Sequence, residues 1–153
     1  MRKSIGRSVS ILYRKNQVYL NKALKPFEIT GAELPFLMTL YEAEGVSQEE
    51  LASYLLIDKA STTRALQSLV EKGYIIRRKD ETDKRTNRIF LCDKALDNQK
   101  AIQKVLDDWN DILSKNIKEE SLHTFLDVLD KMTREVEQLE LHTTGDEPHE
   151  SNQ

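Results

Sequence analysis

The sequence predicts a mainly α-helical chain carrying one small β-hairpin. Three observations point there. Apolar residues recur at i, i+3, i+4 and i+7 over most of the length. Two Ser/Thr-x-x-Glu capping boxes, Thr30 to Glu33 and Ser47 to Glu50, announce helix starts. Residues 74–92 alone read as strand, polar turn, strand.

Each element follows from local chemistry. Residues 5–24 form the first expected helix, with Ile5, Val9, Leu12, Leu20 and Leu24 near helical spacing. Pro26 ends it, because the residue before a proline is pushed out of the helical region. Thr30-Gly-Ala-Glu33 opens a second helix to about residue 44, striped by Leu34, Leu37, Met38 and Tyr41. Pro35 is tolerated near a first turn, and Gly45 is the expected stop. Ser47 starts a short helix, 48–55, with Leu51, Leu55 and Leu56 inward. Asp58 caps a fourth, 59–72, that buries Leu66, Leu69 and Val70, and Gly73 closes it. Tyr74-Ile-Ile-Arg-Arg-Lys and Arg88-Ile-Phe-Leu-Cys92 are the strands, joined by a polar tip. Helical period returns with Ile102, Val105, Leu106, Trp109, Ile112 and Leu113. After a break near 115–120 it continues through Leu122, Phe125, Leu126, Leu129, Met132, Val136 and Leu139. Residues 143–153 hold no large apolar residue and are expected to be a disordered tail.

Composition excludes several classes. The chain has 153 residues, 39% of them hydrophobic and 32% charged. The longest apolar run, Tyr54 to Ile57, is far short of the roughly 20 residues of a membrane span. Arg7, Arg14 and Lys15 interrupt any signal-peptide core. The single cysteine, Cys92, cannot form an internal disulfide, so a reduced, cytoplasmic setting is expected. His123, His142 and His149 are too scattered for a metal site, and no glycine-rich phosphate loop or nucleophile elbow is present. No cofactor and no enzymatic activity are expected.

The formal net charge of −3 conceals a pattern. Residues 1–30 carry seven Lys/Arg and one Glu, residues 31–57 five Glu and no base. Residues 58–88 carry nine bases and five acids, residues 89–153 seven bases and fifteen acids. A basic island inside an acidic chain fits a localised anionic partner, the alternative being a solvated mixed-charge surface. Two short helices, a tight turn and a basic hairpin together describe a winged helix-turn-helix, whose second helix lies in the DNA major groove. With Leu66, Leu69 and Val70 inward, a helical wheel puts Ala60, Ser61, Arg64, Gln67 and Ser68 outward. Arg64 suits a guanine edge. Ser61 and Thr63 lie near the helix start, which favours phosphate. Lys84 and Arg85 occupy the hairpin tip, where an arginine suits a narrow minor groove. Asp83 is placed to orient Arg85. Arg77, Arg78, Lys79 and Arg88 are candidate phosphate contacts.

The stretch from Leu51 to Asp93 resembles the MarR family of bacterial transcription regulators. The residues that carry the resemblance are Leu51-Ala52, Ser61-Thr-Thr-Arg64, Leu69-Val-Glu-Lys-Gly73-Tyr-Ile and Arg77-Arg78. The wing signature Asp83-Lys-Arg85, followed by Arg88-Ile-Phe-Leu91, completes it. The chain departs from the family after the second strand, where Leu91-Cys92-Asp93-Lys replaces a common Leu-Thr pair and following Gly. The resemblance implies a homodimer. Residues 1–30 would supply an N-terminal dimerisation helix, 31–93 the DNA-binding region and 94–142 C-terminal dimerisation helices. It puts Ser61, Thr62 and Arg64 on major-groove positions, Arg85 in the minor groove and Asp83 beside it. The wheel instead turns Thr62 inward beside Leu66. It further implies a repressor of a near-palindromic duplex operator, released by a small aromatic or anionic effector. Tyr13, Phe36 and Trp109 are the candidate effector-pocket residues. Two other functions stay open: a protein-interaction winged helix without specific DNA readout, and a thiol-based oxidant sensor acting through Cys92. Alternation from Ile89 places Cys92 with Phe90, on a face expected to be packed.

Overall fold

A computed structural model describes residues 4–143. Six α-helices and one antiparallel hairpin follow in the order helix α1 (Ile5–Ala23), α2 (Leu34–Glu42), α3 (Gln48–Leu55), α4 (Lys59–Glu71), strand β1 (Ile75–Lys79), β2 (Asn87–Leu91), α5 (Asp93–Ser114) and α6 (Glu119–Thr143). The chain divides into two compact units, Met1–Trp109 and Asn110–Gln153. The expected disordered tail lies, apart from Thr143, outside the described residues.

In the first unit, Leu20 and Leu24 of the α1 end, Ile29, Leu34, Leu37 and Leu40 of α2, Leu51, Leu66, Leu69, Tyr74, Ile75 and Ile89 build one core. Ala95 and Ile102 of α5 join it. The first helix therefore splits by depth. Leu20 is buried, whereas Ile5, Val9 and Leu12 of the same stripe are exposed. Buried hydroxyls are satisfied by backbone: Tyr74 donates to the Phe27 carbonyl at 2.7 Å and Tyr41 to the Ala95 carbonyl at 2.6 Å. Burial pushes the Tyr41 hydroxyl up to about 12, with Tyr74 adding to the shift.

Several boundaries differ from expectation for local reasons. The Thr30–Glu33 pair makes both reciprocal bonds, Thr30 N–H to Glu33 Oε2 at 3.0 Å and Glu33 N–H to Thr30 Oγ1 at 3.3 Å. They close a turn that precedes α2, whose first residues are Leu34 and Pro35. The helix stops at Glu42, because Ala43 turns to extended backbone. Gly45, at φ +81°, shapes the following loop instead, and its N–H donates to the Ile89 carbonyl at 2.7 Å. Leu56 was expected inward; it caps α3 in the left-handed conformation and is 61% exposed. Ile89 carries the packed face of β2, while Phe90 and Cys92 are only half-buried, which corrects the expectation for that pair.

The hairpin pairs Ile75 with Leu91 through to Lys79 with Asn87. In the second unit, α6 shows Phe125, Leu126, Val128, Met132 and Val136 as exposed apolar residues. Such a stripe at helical spacing is one that a helix normally covers.

Candidate nucleic-acid interface

The site is built on α4 and the hairpin. Ser47 caps α3 with a complete capping box: its Oγ accepts from the Glu50 N–H at 3.1 Å, and its own N–H donates to Glu50 Oε2 at 2.6 Å. Left-handed Leu56 then reverses the chain, and Asp58 Oδ1 accepts from the Ser61 N–H at 2.8 Å to start α4. These two caps fix the helix-turn-helix angle with three linking residues, 56–58. Thr62, Ala65, Leu66 and Leu69 form the buried face of α4. Ala60, Thr63, Arg64, Gln67 and Glu71 are exposed on the opposite side, with Ser61 at its edge.

Individual side chains are already oriented there. Arg64 Nη2 donates to Ser61 Oγ at 3.0 Å. Thr63 accepts from Gln48 Nε2 of α3 at 2.7 Å, so the two helices are tied at their outward edge. Thr62 is 1% exposed and its hydroxyl donates to the Asp58 carbonyl at 2.9 Å. This corrects its expected place in the groove: the side chain braces the helix start. Ser68 is also turned from the outward face. It is half-buried, and buried Glu33 holds Lys72 Nζ at 2.8 Å from both carboxylate oxygens. Burial pushes the Glu33 carboxyl up. Lys72, the Ser68 hydroxyl and the Thr30 N–H outweigh it and hold Glu33 below the usual carboxylate value.

The hairpin tip is a compact polar knot. Asp80 Oδ1 accepts from the Thr82 N–H and hydroxyl, both at 2.8 Å, and Asp80 Oδ2 accepts from Arg88 Nε. These donors hold the Asp80 carboxyl well below its ordinary range. Arg88 Nη1 also donates to the Gly45 carbonyl at 2.9 Å, and Glu50 lies 3.7 Å away. Expected as a phosphate contact, Arg88 is instead the strut that pins the wing to the loop before α3. Arg85 projects from the knot with its side chain 92% exposed, and its Nε donates to Asp83 Oδ1 at 3.2 Å. Lys84 beside it is exposed. On the strands, Arg78 stacks over Phe90 at 5.0 Å, and Arg77 Nη1 donates to Gln67 Oε1 at 2.7 Å.

Two basic edges thus stand on one unit, an α4 face led by Arg64 and a wing led by Arg85. A sequence model of the MarR family matches residues 27–86, which spans the helix-turn-helix and most of the wing. The multiple antibiotic resistance protein MarR of Escherichia coli K12 is 30% identical over 135 residues, covering 84% of this chain and 90% of that one. The chain belongs to the MarR family. Its solved neighbours agree. A MarR transcriptional regulator from Methanosarcina mazei superposes with a TM-score of 0.82 at 36% identity, over 88% of this chain and 97% of that one. A cysteine-to-serine mutant of Escherichia coli MarR, complexed with operator DNA, superposes at 0.77 with 27% identity, over 84% and 92%. The uncharacterized HTH-type transcriptional regulator YybA of Bacillus subtilis is 28% identical over 91 residues, 60% of this chain, and the match spans 61% of YybA. This MarR-family chain is a transcriptional regulator and not an enzyme. No helix among the described residues is long and apolar enough to cross a membrane.

Of the three expected effector-pocket residues, the structure brings two together. Tyr13 and Phe36 line a cleft of about 630 Å³ that also contains Gln17, Ser61 and Arg64. Trp109 is not among its walls; it stacks on Tyr19, ring centroids 4.4 Å apart. Cys92 is a free, half-buried thiol whose N–H donates to the Tyr74 carbonyl at 2.9 Å. Sequence reasoning missed Asp80, Lys72 and Gln48. Asp80-x-Thr82 carries a legible signal, since Asp commonly accepts from a backbone N–H two residues on. Lys72 and Gln48 carry none, because their partners lie 39 and 15 residues away.

Proposed function

We propose that this regulator is a homodimer that reads a near-palindromic duplex operator, α4 entering the major groove and the wing the minor groove. The observation that carries the reading is the pairing of Arg64 and Arg85. Both are exposed guanidinium groups, and each is aimed by a neighbour two or three residues away, Ser61 and Asp83. Pre-aimed arginines lose less side-chain freedom on meeting base edges or a narrow groove. Arg64 would take a guanine edge, and Arg85 the electronegative minor groove. Ser61 and Thr63 at the start of α4, with Lys84 on the wing, would contact phosphates.

Dimerisation is supported by apolar exposure on the flanking helices. Ile5, Val9, Leu12 and Val18 on α1 face solvent, as do Phe125, Leu126 and Val136 on α6. A second copy covering them would space two α4 helices about one DNA turn apart. Repression, with release by a small aromatic anion, is the regulatory part of the proposal. The cleft lined by Tyr13, Phe36 and Arg64 offers such an effector two rings and a cation. An effector there would draw on the same guanidinium that α4 presents to DNA. It shifts operator affinity only by its differential affinity for the bound and free forms.

Selection from a randomised duplex pool tests the reading, followed by anisotropy titration of the enriched site at two salt concentrations. A near-palindrome with strongly salt-dependent affinity is expected. Salt-sensitive binding with no enriched sequence overturns specific readout, and no binding at either salt overturns DNA recognition.

A further inference from the structure

We infer that Arg77 is a positioning residue for base readout, fixing the Gln67 amide rather than gripping a phosphate. The inference rests on the duplex-reading proposal and adds one base pair per half-site to what the chain reads. Gln67 lies on the exposed face of α4, one turn beyond Arg64. Its Oε1 accepts from Arg77 Nη1 at 2.7 Å, and its Nε2 donates to Glu71 Oε1 at 3.0 Å. A guanidinium only donates and a carboxylate only accepts. The amide orientation is therefore dictated by chemistry: oxygen toward Arg77, nitrogen toward Glu71. One acceptor lone pair and one N–H remain, the combination that Gln uses on an adenine edge.

Arg77 itself is not built as a phosphate contact. Its Nε is buried without a hydrogen-bond partner among the described residues. A guanidinium that grips phosphate keeps its fork of donors toward solvent, whereas half-buried Arg77 turns its Nε inward and spends an Nη1 donor on Gln67. Arg78, next along the strand and so on the other face, is the exposed member of the pair. Gln67, Arg77 and Glu71 thus form a three-residue clamp whose two ends come from α4 and β1. A long flexible amide is held in one rotamer before DNA arrives, as a readout group requires.

The test uses the full chain in four forms: wild type, Gln67→Ala, Arg77→Met and Glu71→Ala. Each goes through duplex selection and a salt titration on the wild-type site, with thermal melting as a folding check. Wild type should enrich one site. Gln67→Ala should lose preference at one base pair per half-site by at least about fivefold. Arg77→Met and Glu71→Ala should loosen that same pair and leave the log–log salt slope unchanged. A slope lowered by about one for Arg77→Met, with preferences intact, would make it an ordinary phosphate contact and overturn the inference. Unchanged slope and unchanged preferences would overturn it as well. Should Arg77→Met fail to fold, Arg77→Thr replaces it, a strand-favouring side chain too short to reach the Gln67 amide. Preference lost at the Gln67 pair with slope retained then supports the clamp, and preference retained overturns it. Failure of the wild type to enrich any sequence identifies the duplex-reading proposal, rather than the clamp, as the fault and removes both.

Discussion

Replacing Lys72 by Met should destabilise the first unit by about 2–4 kcal/mol at pH 7. The magnitude follows from the site. Glu33 is 5% exposed, and Lys72 Nζ sits 2.8 Å from each of its oxygens. Removing one partner of a buried pair costs roughly 3–5 kcal/mol, because the other charge stays behind in a poor solvent. The cost here is reduced by what remains: the Thr30 N–H at 3.0 Å still serves the carboxylate. The Lys72 side chain is also 27% exposed, so water already screens part of the attraction. The pH dependence has a definite sign. In the wild type, Glu33 titrates below its unfolded value of about 4.3, so its contribution is complete above that value and fades as pH falls through the folded one. In the variant the two lowering contributions of Lys72 are gone, so burial weighs more heavily and the folded value lies above that of the wild type. The penalty is then full at pH 7 and shrinks as acid protonates Glu33. The gap between the two proteins should therefore narrow from pH 7 toward pH 4. Urea unfolding at fixed protomer concentration measures it, since any dimer would couple to folding. A loss under about 0.5 kcal/mol, or a gap that does not change with pH, would refute the reasoning.

Other perturbations test the interface. Arg64→Ala should cost about 1–3 kcal/mol at the selected operator and relax preference there. Anisotropy titration checks it, and equal affinity for both proteins counts against groove contact. Arg85→Ala should weaken binding most where the wing would meet A·T-rich sequence. Asp83→Ala should reproduce part of that loss and leave stability within about 0.5 kcal/mol of wild type, since the pair is exposed. A full wild-type affinity for Asp83→Ala would show that Arg85 needs no orientation. Asp80→Asn should loosen the wing at neutral pH, because it removes the charge that holds Arg88. In the wild type the ionised Asp80 contribution is present above the unfolded value of about 3.9 and persists until pH falls well below it. Amide exchange at Thr86 reads both effects, and equal protection in variant and wild type would exclude the strut.

The outward face of α4 shows how far local pattern reaches. A wheel drawn on Leu66 and Leu69 places Arg64 and Gln67 in solvent and Thr62 inside, and all three stand so in the structure. It places Ser68 outward, where the structure half-buries it. The wheel reports angle around one axis and cannot contain a residue from another helix. The same limit applies to Arg88. Its strand position reads as solvent-facing, yet Asp80 and the Gly45 carbonyl converge on it from two loops.

What the sequence determined by itself was everything governed by neighbours within a few residues. The capping box at Ser47, the N-cap at Asp58, the closing turn at Gly73, apolar spacing along each helix and the polar hairpin tip rest on backbone satisfaction and side-chain period, which are local. Tertiary structure alone decided which polar groups stay available. Lys72, Arg77 and Arg88 look alike as exposed cations of a basic region, and each was claimed by a partner on a different element. Burial makes an unpaired polar group costly, so the packed fold assigns partners across long sequence separations. The cations held only by near sequence neighbours, foremost Arg85 on Asp83, are the ones that the proposed DNA contact would use.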